Sequence, residues 1–346
     1  MTTSQEFLGT TLPIIQAPMA GSQGSALAVA VCDAGGLGSL PSALLSAEGL
    51  RKEVAAIRAQ THQPFNLNFF CHTPPTPSPE REAAWLTALN PYYKEYGIDP
   101  ASIPSGPGRT PFGDEAASLL EEVRPAIVSF HFGLPPPELL ARVRATGAKI
   151  LVSATTVDEA RWLETHGADG IIAQGLEAGG HRGHFLSDDL TRQVGTFALL
   201  PQIVRAVNVP VIAAGGIADR QTVKVALALG ALAVQPGTAY LLCPEATVSP
   251  VHRTALKSSD ARHTALTNLF SGRPARGIVN RLMRELSPLS DKPPAFPLAT
   301  AAILPLRAKA EAQGLGDFSP LWAGQHVRGK ETSAGDLTRE LAGVGS

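Results

Sequence analysis

A short apolar segment followed by a helix recurs eight times along the chain, and this repeat limits the possible folds more than any other feature. The apolar segments are residues 13–21, 37–43, 65–70, 125–133, 149–155, 170–175, 210–216 and 231–241. Because they are apolar along most of their length, they are typical of parallel strands covered on both faces. Eight such units in about 250 residues are what a closed (β/α)8 barrel needs. The sequence therefore predicts an α/β protein built on a TIM barrel, in preference to an open doubly wound sheet, since no GxGxxG pattern follows the first strand.

Two segments interrupt the repeat. Residues 72–118 begin with a cluster of prolines and continue as a helix, so they are predicted to be an insertion at the catalytic end of the barrel. After residue 250 the alternation stops, and residues 251–314 are predicted to be helices that form a smaller helical lid domain over the barrel mouth. We therefore expect a barrel domain over residues 1–250, a lid over residues 251–314, and a final segment, 315–346, that packs back on the barrel.

The net charge and the cysteine content limit the expected partners and cellular compartment of the protein. The formal net charge is −1 and no long run of like charges occurs, so neither nucleic acid nor an anionic membrane is an expected partner. The N-terminus lacks the pattern of a signal peptide, and no apolar stretch is long enough for a membrane span. Three widely spaced cysteines fit a reducing cytoplasm better than a disulfide framework. Apolar Ile303 and Leu304 could pack within the lid or against another subunit, which leaves a homodimer open.

Functional groups in a parallel barrel follow the carboxyl ends of the strands. In this chain those positions carry amides, hydroxyls and glycines, with little charge. The candidate site residues are Ala17, Pro18 and Met19 after the first strand, Asn68 on the third, Gln174, Gly179 and Gly180 after the sixth, Gly215 and Gly216 after the seventh, and Gln235, Pro236, Gly237 and Thr238 after the eighth. The family resemblance given below assigns these residues to a bound cofactor.

The glycines after the seventh and eighth strands predict a phosphate site. They leave backbone N–H groups bare, and a helix N-terminus is expected to follow each turn, which together favour an anion. Barrels commonly hold a phosphate at these two positions. The alternative is that each Gly-Gly or Pro-Gly pair is only a tight turn.

Two histidines are candidates for catalysis. His181 lies in the Gly-rich loop after the sixth strand, where glycines allow the backbone to approach a flat ligand. His131 lies at the end of the apolar fourth strand. The alternatives are a surface-loop histidine for His181 and a hydrogen-bonded core histidine for His131. Glu177 is predicted to be a structural carboxylate, and the other histidines share no ligand spacing, so no metal site is expected.

Nine short motifs together resemble the nitronate monooxygenase family, in its class I branch, from near the start of the chain to about residue 326. They are PIIQAPMAG, GGLGSL, NLNFF, VSFHFG, QGLEAGGHRG, PVIAAGGIAD, VQPGTAYL, FSGRPARG and SPLWAGQ. The resemblance implies a TIM barrel with a smaller lid domain and non-covalently bound FMN. It implies that Asn68, Gln174 and Gly179 contact the flavin, that Met19 lies beside its ring, and that Gly216 and the run 235–238 bind its phosphate. It also implies that His181 is the catalytic histidine and His131 a histidine on the substrate side.

One segment departs from the family pattern. The resemblance implies tyrosines and a lysine in the segment that matches FPLATAAILPLR, but Leu298, Ala299 and Ala302 or their neighbours stand there, and no Tyr or Lys precedes Lys309. We therefore expect the lid side of the pocket to be more apolar than in the family.

The resemblance implies an enzyme, an FMN-dependent oxidoreductase. It would oxidise alkyl nitronates, and nitroalkanes that arrive un-ionised, with O2 to a carbonyl compound and nitrite. The nearest alternative is an NAD(P)H-dependent flavin reductase, acting on a quinone or an enoyl thioester, on the same barrel. Alternatives of other classes are a flavin-binding protein without turnover and a flavin-free barrel that binds a sugar phosphate.

Overall fold

A computed structural model describes residues 3–103 and 108–344 of the chain. Its ten strands are β1 (Gly38–Pro41), β2 (Phe65–Phe70), β3 (Ile127–His131), β4 (Lys149–Ala154), β5 (Gly170–Gln174), β6 (Gly180–His181), β7 (Val211–Ala214), β8 (Ala233–Val234), β9 (Thr264–Thr267) and β10 (Ala275–Ile278). Seven of them form one parallel sheet in the order β1-β2-β3-β4-β5-β7-β8, and β6, β10 and β9 form a small antiparallel sheet.

The parallel sheet is closed by the first apolar segment. Ile14 pairs with Val234 of β8 and Ile15 pairs with Leu37 next to β1, both in parallel orientation. The Ile15 amide donates to the Val234 carbonyl at 2.8 Å, and the Leu37 amide donates to the Ile14 carbonyl at 2.9 Å. Each of the eight predicted strand segments therefore contributes to one ring, and the predicted (β/α)8 barrel is confirmed.

The helices alternate with these strands as the repeat predicts. They are α1 (Ser4–Leu8), α2 (Ser25–Asp33), α3 (Ala47–Gln60), α4 (Pro79–Tyr96), α5 (Asp114–Val123), α6 (Pro137–Ala145), α7 (Val157–Thr165), α8 (Thr196–Ala206), α9 (Arg220–Ala228), α10 (Pro250–Lys257), α11 (Arg281–Leu286), α12 (Thr300–Glu311) and α13 (Ala334–Ala342). Side-chain caps begin several of them; Ser46, for example, accepts from the Gly49 amide at the start of α3. In the described part of the chain no helix has both the length and the apolarity needed to cross a membrane.

The inside of the barrel is layered. Ile127, Leu151 and Ile212 and their neighbours form an apolar cluster low in the barrel. One strand pair further towards the carboxyl ends, Asn66 Nδ2 donates to the hydroxyl oxygens of Ser39 and Ser129 at 3.0 and 2.9 Å. Side chains two residues apart on a strand share a face, so on β3, β4 and β5 an apolar residue (Ile127, Leu151 or Ile172) is followed by a polar one (Ser129, Ser153 or Gln174). This alternation makes the carboxyl end of the barrel polar.

A second hydrophobic core lies outside the barrel. It joins residues of α4, such as Trp85 and Tyr93, to residues of α11 and α12. The Trp85 Nε1 donates to the Ala299 carbonyl at 3.3 Å, and the Tyr93 hydroxyl donates to the Ala302 carbonyl at 2.7 Å. Ile303 is buried in this core, whereas the neighbouring Leu304 is 52% exposed. The proposed division of the chain into domains stays a prediction.

Within the lid, one segment differs from the prediction. Residues 264–278 were expected to be helical, but they form β9 and β10, and α11 begins only at Arg281. The reason is tertiary: Ala275 and Arg276 of β10 pair with His181 and Gly180 of β6, in the loop after β5. A partner that far away in sequence overrides local propensity.

The last helix returns to the barrel. Leu337 and Leu341 of α13 are buried in the same cluster as residues of α2 and α9. The Thr338 hydroxyl lies 2.8 Å from the Tyr240 hydroxyl, just after β8. The end of the described chain thus covers the outside of the closure between β8 and β1.

Candidate active site

A cavity with an empty volume of about 1270 Å³, part of it open to solvent, lies at the carboxyl end of the barrel strands. Every residue predicted above to bind a cofactor lines this cavity, and so do both candidate histidines, His131 and His181. The structure therefore brings the whole predicted set together in one place, although the role of each residue stays a prediction.

Several other lining residues escaped the sequence reasoning, and four of them contribute groups of interest. Phe70 ends the third apolar segment, so its position was a signal that the prediction did not use. Trp322 and Gly324 lie in the motif SPLWAGQ but were not selected from it. Arg109 comes from the 72–118 insertion, outside the pattern of strand ends, and nothing in the sequence pointed to it.

The glycine turns after β7 and β8 leave amides free for a ligand. Gly215 and Gly216 have φ values of 117° and 69°, which side-chain-bearing residues rarely adopt. In the described part of the chain, the amides of Gly216, Gly237 and Thr238 donate to no other group. Successive free amides of this kind form a concave site for an anion.

The helix half of the predicted phosphate site is wrong. Asp219 caps α9, and its carboxylate accepts from the Thr222 amide at 2.8 Å, so a negative charge already occupies that helix N-terminus. After β8 only a short 3-10 turn, Thr238–Tyr240, follows. An anion at this site would therefore be bound by the amides of the turns and not by a helix dipole.

Close backbone contacts keep part of the cavity wall flat. A Cβ atom on Gly179 would lie 2.5 Å from the Gly324 nitrogen, so these two loops touch through their backbones. A Cβ atom on Gly237 would lie 3.3 Å from the Ala17 Cβ and 3.7 Å from the Met19 sulfur. These glycines leave a wall against which a planar ligand can lie.

Unused polar atoms in this wall suit a ligand that has both donors and acceptors. Gln235 Oε1 is buried and has no hydrogen-bond partner among the described residues. Asn68 Nδ2 donates to the Ser129 hydroxyl at 3.0 Å, which leaves Asn68 Oδ1 to accept from another group. A buried acceptor without a partner is costly, so it indicates a missing donor. The residues present thus fit a flavin, whose ring edge carries N–H and C=O groups and whose tail carries a phosphate.

Arg182 holds the loop that carries His181. Its side chain is fully buried, and it donates to the carbonyls of Gly175 and Gln174 at 2.7 and 2.9 Å and to Gln193 Oε1 at 2.8 Å. Gln174 adds two bonds, donating to the His181 carbonyl at 3.0 Å and accepting from the Gly183 amide at 2.8 Å. The loop after β5 is therefore tied back to the strand end from which it leaves.

We expect Arg182→Met to lower the free energy of unfolding by about 3 kcal/mol, because it removes three buried hydrogen bonds while keeping most of the side-chain volume. Urea or guanidinium unfolding of the flavin-free protein measures it. Arg144→Met is the matched control, since Arg144 is exposed and its guanidinium donates only to the Gly167 carbonyl. Its expected loss is less than about 1 kcal/mol. Equal losses for the two variants would contradict a role of Arg182 in holding the loop.

Both ring nitrogens of His131 have partners in the protein. Its Nε2 lies 3.1 Å from the His181 carbonyl, which can only accept, so Nε2 carries the proton. Its Nδ1 lies 3.0 Å from the Ser153 hydroxyl, which donates to it. Burial lowers the pKa of His131 to about 3, so the ring is neutral. In this arrangement His131 positions the backbone of His181 and leaves no ring nitrogen for a ligand.

His181 has one ring nitrogen engaged and one available. Its Nε2 lies 2.8 Å from the Ser271 hydroxyl, which in turn donates to the Arg273 carbonyl at 3.3 Å. Ser271 has a single proton to donate, so its oxygen accepts from Nε2–H, and Nδ1 keeps its lone pair. Among the described residues Nδ1 has no partner, and it is not sealed from solvent. Burial first, and then the nearby charge of Arg109, hold the pKa of His181 well below the usual histidine range.

Aromatic rings surround His181 on the lid side. The ring centroids of Phe296 and Trp322 lie 5.3 and 5.6 Å from that of His181, and Phe70 lies at 6.4 Å. Ala299 and Ala302, by contrast, are buried in the core under α4. The predicted apolar character of the lid side is therefore found in the aromatic rings, but Arg109 adds a cation there.

The remaining candidates have structural roles. The Glu177 carboxylate accepts from the amide and the hydroxyl of Thr196, both at 2.8 Å, which confirms its prediction as a structural carboxylate at the start of α8. Cys32 and Cys243 are buried and no disulfide is formed. His326 Nδ1 lies 3.2 Å from the Gly216 carbonyl, at the edge of the cavity.

Two solved structures share this fold at lower sequence identity. FabK from Thermotoga maritima superposes with a TM-score of 0.73 and is 26% identical, with 99% of this chain and 95% of that chain covered. An enoyl reductase domain of MlnA from Bacillus amyloliquefaciens, at 15% identity and a TM-score of 0.53, shares the fold alone.

Stronger similarities point to one family. Its sequence model, described as nitronate monooxygenase, matches residues 2–343. A nitronate monooxygenase from Pseudomonas aeruginosa is 44% identical over 96% of both chains, and one from Paraburkholderia phytofirmans is 45% identical over 96% of this chain and 92% of the relative. The structure of nitroalkane oxidase from Streptomyces ansochromogenes superposes with a TM-score of 0.89 at 39% identity, with 99% and 97% of the chains covered. With its barrel, its glycine-lined cavity and these relatives, the chain belongs to the nitronate monooxygenase family and is an oxidoreductase.

Proposed function

We propose that this enzyme uses FMN to oxidise alkyl nitronates with O2 to a carbonyl compound and nitrite, and that it also accepts nitroalkanes after removing their α-proton. The observation that carries this proposal is the free Nδ1 of His181, in the cavity that all predicted flavin-binding residues line. A flavin-binding protein without turnover has no use for a base held at this place. We expect the protein to act in the cytoplasm and to bind nitronate, nitroalkane and O2. A homodimer stays an open alternative.

Residues at the ends of five strand segments would hold the flavin. The free amides of Gly216, Gly237 and Thr238 would bind its phosphate, and Asn68 and Gln235 would meet the polar edge of its ring. Gly179 and Met19 would lie against the ring plane. When bound, FMN supplies the electron acceptance and the reaction with O2 that no side chain can supply.

His181 would act as the base for a nitroalkane. A base must be neutral and within hydrogen-bond reach of the proton that it removes. Its lowered pKa keeps His181 neutral at physiological pH, and the Ser271 hydroxyl fixes the proton on Nε2, so that Nδ1 accepts. A nitronate has already lost this proton and needs no base.

His131 takes a different role from the one first expected. The resemblance placed it on the substrate side, where it would donate a hydrogen bond to a nitronate oxygen. With Nε2 bound to the His181 carbonyl and Nδ1 bound to Ser153, we propose that His131 is a positioning residue that fixes the backbone of the base.

An NAD(P)H-dependent flavin reductase remains the second candidate, because it would need the same barrel and the same cavity residues around a flavin. One preparation distinguishes the two. We expect a yellow protein that releases nitrite from propyl 1-nitronate in air, and whose flavin absorbance bleaches slowly or not at all with NADH or NADPH under anaerobic conditions. Rapid bleaching without nitrite release would favour the reductase, and a colourless protein that does not take up FMN would contradict both.

A further inference from the structure

Arg109 lies on the substrate side of the cavity, next to the proposed base. It lines the cavity and is half-buried. Its guanidinium carbon is 5.7 Å from the centroid of the Phe296 ring, and that ring lies 5.3 Å from the ring of His181. Its backbone carbonyl accepts from His72 Nε2 at 3.1 Å, which ties the residue to the end of the third strand segment.

No carboxylate neutralises this guanidinium. Among the described residues, none of the ion pairs includes Arg109, and no side chain accepts a hydrogen bond from it. The eight residues outside the described ranges, at positions 1, 2, 104–107, 345 and 346, include no Asp or Glu. By contrast, Arg281, which is also half-buried, binds Glu95 and Glu285. A partly desolvated cation without a partner favours any anion that enters the cavity.

The charge on this side of the cavity is not balanced by the rest of the lining. Glu177 is the other charged lining residue, and its carboxylate is already bound by Thr196. A Cβ atom on Gly216 would lie 3.4 Å from the Glu177 Cβ, so Glu177 belongs to the side with the glycine turns. The aromatic rings around His181 carry no charge. The substrate side therefore has a net positive charge that comes from Arg109.

We propose that Arg109 is a specificity-determining residue, which binds the anionic oxygens of the substrate and makes the enzyme prefer an ionised nitronate to a neutral nitroalkane. This inference rests on the proposed function. A neutral His181 cannot supply positive charge to a nitronate. A guanidinium can, and its planar fork of donors matches two oxygens on one atom.

Steady-state kinetics on a charged and a neutral substrate of the same carbon skeleton test this. For Arg109→Met we expect KM for propyl 1-nitronate to rise about tenfold or more, since a charged contact is lost, with kcat changed by less than about threefold. KM for 1-nitropropane should change by less than about twofold. Equal changes for both substrates, or none for the nitronate, would overturn the proposal.

Two further variants test whether the effect on KM comes from the charge of Arg109, from the planar shape of its guanidinium, or from a general change in the charge of the protein. Arg109→Lys keeps the charge but not the fork, so its KM for the nitronate should lie between wild type and Arg109→Met. Arg51→Met removes an exposed charge that pairs with Glu122 on the barrel exterior, and it should change neither KM. Flavin content is measured for each variant, so that loss of cofactor is not mistaken for loss of substrate binding. A nitronate KM for Arg109→Lys as high as that for Arg109→Met would contradict recognition by charge.

A binding measurement keeps the test valid if the proposed oxidation fails. Propionate and propionamide differ in charge but not in size, and Trp322 lies in the cavity as a fluorescent reporter. We expect saturable quenching or enhancement by propionate in the wild type, weakened about fivefold or more in Arg109→Met. Propionamide should bind both proteins equally weakly. If the wild type releases no nitrite but binds propionate more tightly than Arg109→Met does, the proposed oxidation is wrong and the anion site is supported. Equal propionate binding by both proteins would contradict the anion site.

Discussion

Replacing His181 with Asn is expected to lower kcat/KM for 1-nitropropane by about 100-fold to 10,000-fold, the usual range for loss of a general base. For propyl 1-nitronate the expected loss is less than about tenfold, because that substrate arrives without the α-proton. Asn places an uncharged amide at about the position of Nδ1 and cannot act as a base, although it is too short to keep the contact that Nε2 makes with the Ser271 hydroxyl. Initial rates of nitrite release from both substrates give the comparison. Equal losses on the two substrates would show that His181 is not a base.

The pH dependence of nitroalkane turnover is a second test of His181. A base works when it is neutral, which is at pH values above its pKa. Because burial and Arg109 lower the pKa of His181, nitroalkane turnover should stay level as the pH falls through the usual histidine range near 6.5, and decline only below it. Arg109→Met should move this decline to higher pH. A decline centred at or above 6.5 in the wild type would contradict the neutral, buried histidine.

Replacing Gly216 with Val is expected to weaken FMN binding by about 100-fold or more, so that the purified variant loses most of its yellow colour. The φ angle of Gly216 is 69°, and a β-branched residue strongly disfavours this conformation, so the turn must change and its free amide must move. A phosphate held by several amides loses more than one contact when the turn reorganises. The flavin-to-protein absorbance ratio after gel filtration, and titration of the apoprotein with FMN, measure the change.

Gly314→Val is the matched control. Gly314 also has a positive φ, 74°, but it ends α12 on the surface, is exposed, and a Cβ atom there would meet nothing within 4 Å. Both variants carry the same backbone strain, which costs on the order of 1–3 kcal/mol of stability. Only Gly216→Val should lose flavin. If Gly314→Val loses flavin equally, the effect comes from general instability and not from the turn.

Much of the fold followed from the sequence because the barrel is built from local repeats. Each apolar segment with its helix makes mainly local contacts, and the pattern of one unit is visible within about 30 residues. The first strand shows the limit of this reasoning: it was predicted at full length, but in the structure it contributes only the pairings of Ile14 and Ile15. Strands β9 and β10 were missed entirely, since β10 pairs with β6, almost a hundred positions earlier in the chain, and β9 pairs in turn with β10.

The site was predictable where it lies on strand ends and hidden where it depends on tertiary contacts. The sequence predicted that Gly216, Gly237 and Asn68 surround one cavity, because all three lie at the carboxyl ends of barrel strands. Their roles stay a prediction. The engagement of His131 with the His181 carbonyl joins two strands and has no sequence pattern. Arg109 lies in an insertion, where no periodicity fixes which way a side chain points. A helix N-terminus was predicted as an anion site, but the Asp219 cap, three residues after Gly216, was overlooked.

The short pairing between β6 and β10 bears on any attempt to redesign substrate preference by exchanging segments between relatives. Because the residue that would remove the proton is itself a member of that pairing, a graft whose boundary falls between Thr264 and Ile278 would separate the histidine from the strand that holds it. Junctions placed before α10 and after α12 leave the small sheet intact only if the donor supplies a strand of the same register. The position of His181 thus depends on two segments that are distant in sequence, the loop after β5 and strand β10. A chimeric enzyme must take both segments from the same parent.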